Sequence, residues 1–166
     1  MSGTKPSRPP APRSRALLLP MPRNQASDLI LRTRLFLERI RSGHIERGLV
    51  NHLAQVCIIS GFVARAGHGR LGAETFDAVE QQLARLLLDF DETGRWGDVS
   101  DLLLDGLTQM VNEYDRMLGT IRLEILAKAS DHLDRLVAIS ANAEPHCAES
   151  RTVPAPTRAG TTGVSA

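Results

Sequence analysis

Between Val50 and Val63 the only polar side chains belong to Asn51, His52, Gln55 and Ser60. Apolar residues at this density, without proline and without strand-like alternation, predict a helix that is apolar almost all round. Such a helix has to be covered on every side by the rest of the chain. The fold class follows: all-α, a bundle-like domain of about five helices with the helix over 44–66 central.

The flanking sequence supplies the covering helices. Residues 27–42 carry a stripe of Leu29, Ile30, Thr33, Phe36, Leu37 and Ile40. Ser27 is placed to cap its start and Gly43 to stop its end. Residues 73–90 turn Phe76, Val79, Leu83, Leu86, Leu87 and Phe90 inward, and a loop over 91–97 holds the only tryptophan, Trp96. A fourth helix starts near Asp98 or Ser100. Its stripe is Leu103, Leu107, Met110, Val111, Tyr114, Met117 and Leu118, and Gly119 stops it. Thr120 then caps a fifth helix, with Leu126, Ala129, Leu133, Leu136 and Val137 inward. Connections this short join antiparallel neighbours.

A chain of 166 residues fits one domain. Residues 1–23 contain six prolines and no acid, and are expected to be a disordered basic arm with a short docking segment at Leu17–Met21. The helical domain is expected over 24–140. Residues 141–166 have no apolar periodicity and cannot bury enough surface to offset ordering entropy, so a disordered tail is expected there. Cys57 and Cys147 make no disulfide framework and are expected as free thiols. The longest apolar-rich run, Val56–Ala66, is broken by Ser60 and Arg65, so no membrane span is expected. Leu17–Leu19 ends at Pro20, too short for a signal-peptide core. These features point to the cytoplasm.

Charge is divided along the chain. Residues 1–70 hold twelve Lys and Arg against Asp28, Glu38 and Glu46, whereas residues 71–140 hold six against fourteen acids. Such a basic half can attract phosphate or an acidic partner. It can equally pair with the acidic half of its own chain. In the first predicted helix Arg32 and Arg39 share one side of the stripe, and Arg34 and Arg41 share the other. With Arg13, Arg15 and Arg23 of the arm they form the candidate contact set for nucleic acid or an acidic partner. Planar guanidinium forks suit phosphate, but the same arginines can cover apolar surface with their stems. Leu31 and Leu35 point away from the stripe at i, i+4 spacing. They are the candidate association residues, for a protein partner or a homodimer; the alternative is burial under the N-terminal arm through Leu17, Leu18, Leu19 and Met21.

Catalytic patterns are not found. His44, His52, His68, His132 and His146 form neither Glu-x-x-His pairs nor a His-Glu-x-x-His zinc helix, so no metal or cofactor is expected. Cys57 lies among Val56, Ile58 and Ile59, the setting of a buried, inert thiol. Gly67-His68-Gly69-Arg70-Leu71-Gly72 follows a helix rather than a strand and lacks the Lys-Ser/Thr of a phosphate loop. Asp89, Asp91 and Glu92 sit at a helix C-terminus, where the dipole disfavours them and an arginine or cation partner is called for. Asp98, Asp101 and Asp105 sit at a helix N-terminus, where acids are favourable. Leu53–Arg65 superficially fits a helix-turn-helix. Ile58 stands at the turn, however, and an apolar second helix offers little to base edges.

Leu18-Leu19-Pro20-Met21-Pro22, Arg41-Ser42-Gly43-His44, Gly61-Phe62, Ala66-Gly67-His68-Gly69, Tyr114-Asp115 and Ala129-Ser130-Asp131-His132-Leu133-Asp134-Arg135 together carry a resemblance over residues 17–138. The chain resembles a group of small bacterial proteins of no established role, sometimes labelled Fis-family transcriptional regulators. That label implies DNA binding through a C-terminal helix-turn-helix. Here the last helix carries Glu124, Asp131 and Asp134 against Arg122, Lys128 and Arg135, and no turn helix follows. No functional residue is therefore carried over. The expected function is a non-enzymatic helical interaction or regulatory protein acting through oligomerisation or partner binding. The alternative is a DNA-associated regulator using the basic arm and first helix. No small-molecule substrate is expected.

Overall fold

The structure, a computed structural model, describes residues 15–143. After a short 3-10 turn at Arg15–Leu18 come five α-helices: α1 (Arg23–Arg41), α2 (Arg47–Val63), α3 (Ala73–Thr93), α4 (Asp101–Thr120) and α5 (Leu123–Ala143). No strand occurs among the described residues. The predicted disorder at 1–14 and 144–166, with Cys147 and His146, lies outside the described residues.

The helices end where local chemistry dictates. α1 begins at Arg23, four residues ahead of Ser27. Pro22 occupies the capping position, and its carbonyl accepts from Ala26 N at 3.0 Å. Proline is tolerated at a helix start because the first-turn N–H groups have no helical partner. The segment before α1 is correspondingly placed rather than loose. Met21 packs on the core, and Leu19 O accepts from the α5 amide of Leu123 at 2.8 Å. Gly43 ends α1 as expected, at φ 82°, with Gly43 N bonded to Ile40 O and His44 N to Arg39 O.

α2 starts after an extended Glu46 and continues through a π-turn at Ala64–His68. α3 runs three residues past its predicted end. Its stop is Gly94, left-handed at φ 68°, whose amide reaches Phe90 O. Phe90, predicted to face inward, instead stacks on Trp96 with ring centroids 4.0 Å apart. Ser100 caps α4 by accepting from Leu103 N. Thr120 does not cap α5; its hydroxyl donates back to Arg116 O, and α4 continues to it.

α2 is the predicted centre, and it shares that place with α4. Each packs against the other and against both α1 and α3. Leu53, Val50, Cys57 and Val63 of α2, Phe76 and Leu83 of α3, and Leu107, Met110 and Met117 of α4 are essentially inaccessible to solvent. Burying side chains of this kind contributes about 1.5–3 kcal/mol each. Arg47–His68 is also long and apolar enough to cross a bilayer, against the sequence expectation; in the bundle Leu49, Val50, Leu53, Val56, Cys57, Ser60, Gly61 and Val63 are buried, while Asn51 and Gln55 are exposed. Leu29, assigned to the core stripe of α1, is 38% exposed.

A compact unit ends at Asp134, and the remaining turns of α5 form a second unit from Arg135. Leu126 and Ala129 of α5 are buried as predicted, and His132 meets the ring of Phe62 at 4.9 Å. Leu136, Val137 and Ile139 of the second unit are exposed, so the predicted inward run of α5 stops short of Leu136.

α3 and α4 approach closely at Gly106, where an added Cβ would stand 2.7 Å from Val79 Cγ2. Gly119, in the same helix, has open space in that direction. Alanine is favoured over glycine in a helix interior by about 1 kcal/mol, whereas overpacking costs about 1–3 kcal/mol. In urea unfolding, Gly119→Ala is therefore expected to stabilise the protein and Gly106→Ala to destabilise it. Stabilisation by both would refute the close α3–α4 contact.

Candidate functional site

The four arginines of α1 divide between two flanks, as their spacing predicts, but they do not form one free basic surface. Arg34 and Arg41 lie toward α4. Arg34 Nη2 donates to Asp115 Oδ2 at 3.0 Å and to Asn112 Oδ1 at 3.2 Å. Arg41 Nη2 donates to Thr108 Oγ1 at 3.0 Å, and its Nη1 to Glu38. The pairing of 34 with 115 and 41 with 108 shows that α1 and α4 run antiparallel. On the other flank, Arg39 pairs with Glu46 and Arg32 lies 5.3 Å from the centroid of the Phe36 ring. Arg23 is exposed at the start of α1. Arg13 and the side chain of Arg15 lie outside the described residues.

Two further arginines join the basic to the acidic half. Arg65 pairs with Asp77 at 2.7 Å, and Arg47 engages both carboxylate oxygens of Asp91. They clasp opposite ends of the antiparallel α2–α3 pair. Arg47 also answers the acids predicted to need a partner at the α3 C-terminus, and it holds the Asp91 carboxyl below its usual range. Both pairs are exposed, and such pairs contribute only about 0–1 kcal/mol each.

His52 is the half-buried histidine of α2. Thr33 Oγ1 donates to Leu29 O at 2.9 Å and lies 3.0 Å from His52 Nε2. Burial first, and Arg32 second, lower the His52 pKa. Cys57 is buried, its thiol donates to Phe76 O, and burial raises its pKa to about 12. A thiol in that state is no nucleophile.

The most structured polar cluster was not singled out by the sequence. Glu113 of α4 is 6% exposed. Its carboxylate accepts from Arg70 N at 2.6 Å and from Arg116 Nε and Nη2 at 2.9 and 2.6 Å. Arg116 also donates to His68 O at 2.8 Å and to Thr120 Oγ1 at 3.1 Å. The pair thus fastens α4 to the glycine-rich connection between α2 and α3. The Arg116 guanidinium holds the Glu113 pKa down against the opposing effect of burial, and Arg70 N assists. A signal was present: Glu113 falls three residues after Met110 and four before Met117, on the buried side of the stripe.

Leu31 and Leu35 are 59% and 56% exposed. At 100° per residue they lie opposite Thr33, Leu37 and Ile40, the buried residues of α1. No family model matches the chain, and no curated protein or solved structure matches it significantly.

Because the Glu113 pKa is depressed in the fold, its contribution is complete above the unfolded value and is lost as pH falls through the folded one. Glu113→Gln keeps the shape but sets an amide donor against guanidinium donors. The expected cost at pH 7 is about 1.5–3 kcal/mol, and the difference from wild type should narrow as pH falls below about 4.3. Denaturant melts at pH 7 and pH 3 measure it; a cost independent of pH would refute the assigned ionisation.

Proposed function

We propose that this protein is a non-enzymatic helical interaction module that associates through the outer face of α1. The observation that carries the reading is the pair Leu31 and Leu35, each more than half exposed on the side of α1 that faces away from the core. Apolar pairs on a charged helix lose water-exposed area on docking against a second helix. Arg32, Arg39 and Asp28 border the pair and supply a polar rim that selects among partners. Arg34 and Arg41 face α4 on the flank away from Arg32 and Arg39, so the four do not form one surface along α1 for a nucleic-acid backbone, which favours this reading.

Light scattering on the full chain tests self-association. Wild type is expected to have the mass of a dimer at tens of micromolar, and Leu31→Glu with Leu35→Glu to be a monomer of unchanged helicity. A wild-type monomer, or a double variant of the same mass as a dimeric wild type, contradicts self-association through this face.

A further inference from the structure

A basic cleft draws on both halves of the chain, on Arg23 and Arg34 of the predicted contact set and on Arg116 of the acidic segment. An open cleft of about 580 Å³ lies between the start of α1 and the end of α4. Arg23, Arg34 and Arg116 all line it, and Asp115 is the single carboxylate residue among its lining residues. Two of the three guanidinium groups are already held by carboxylates. Arg34 rests on Asp115 and Asn112 through Nη2 alone, which leaves Nε and Nη1 to donate elsewhere. Arg116 is fixed by Glu113 through Nε and Nη2, by His68 O through Nη2 and by Thr120 through Nη1, which leaves one Nη1 N–H to donate elsewhere. Arginines held this way have lost rotamer freedom before any ligand arrives, so binding costs less. Ser27 adds a hydroxyl, and Met21 and Ala26 add apolar wall.

The charge count selects the ligand class. Three guanidinium groups face Asp115 in the lining, and Glu113 stands behind Arg116. With Asp115 and Glu113 offsetting two of the three positive charges, the lining keeps a net charge of +1 and N–H donors from three guanidinium groups, which suits the several oxygens of one phosphate group. The volume lies in the range of small-molecule sites, about 300–1,000 Å³, larger than a bare ion needs. We propose that the cleft between α1 and α4 binds the phosphate group of a small phosphorylated molecule through Arg23, Arg34 and Arg116. This site is independent of the Leu31–Leu35 face and does not rest on it. The cleft also continues past Arg116 into two neighbouring depressions, one lined by Arg70 and the other by Arg122.

Titration of the full chain with inorganic pyrophosphate, followed by calorimetry at low salt, tests the proposal. Saturable binding at one site per chain is expected. Arg23→Gln and Arg34→Gln are each expected to weaken it about tenfold, the loss of one charge-assisted contact. Arg23 is exposed at a helix start, so Arg23→Gln is expected to fold, with circular dichroism as the check. Arg85→Gln, an exposed site on α3 outside the cleft, is expected to bind as wild type does. No saturable binding up to millimolar pyrophosphate would overturn the proposal. So would equal weakening by Arg85→Gln, because that outcome is diffuse attraction to net charge.

Discussion

The burial of α2 is the constraint on which the other elements depend. A helix with so few polar positions cannot be left half exposed, and α1, α3 and α4 all contact it. α4 answers the same demand from the opposite side, so the core is built on two helices rather than one. Close approach is needed where they meet their neighbours. Gly61 of α2 would place a Cβ 3.2 Å from Phe76 Cβ, and Gly106 of α4 would clash with Val79. Gly61 and Gly106 therefore set helix spacing, at the expense of some helix propensity.

Charge follows from that packing. The basic and acidic halves of the chain meet as Arg34–Asp115, Arg47–Asp91 and Arg65–Asp77, each at an edge of an antiparallel helix pair. Exposed pairs contribute little stability; their consequence is orientation, since like charges would oppose other arrangements of the same helices. Glu113 and Arg116 differ in kind. They are the more buried pair, and breaking it strands a charge that water reaches poorly. The basic cleft is assembled from both halves, because Arg116 belongs to the segment that is acidic in sum.

Much of the fold was legible from periodicity. The five helices, the stop at Gly43, the start of α4 near Ser100 and the burial of Cys57 follow from spacing and local chemistry. The misplaced boundaries have separate causes. Ser27 and Thr120 are good caps in isolation, yet Pro22 permits an earlier start, and Arg116 draws the Thr120 hydroxyl back onto α4. The extension of α3 to Thr93 depends on Gly94 and on Asp91 finding Arg47, a residue 44 positions away. Of the candidate site, the two flanks of α1 and the outward Leu31 and Leu35 were readable from helical spacing. Glu113 was readable as a stripe position of α4, but its link to Arg70 was not, because a contact spanning 43 residues leaves no local pattern.

Native-state amide hydrogen exchange tests the central claim, that α2 and α4 together form the structural centre. Amides in the middle of both helices, from Leu53 to Ser60 and from Leu107 to Met117, are expected to exchange only by global unfolding. Their opening free energies should equal the unfolding free energy from denaturant. Exchange of the α2 amides by local opening, faster than those of α1 or α3, would contradict the account.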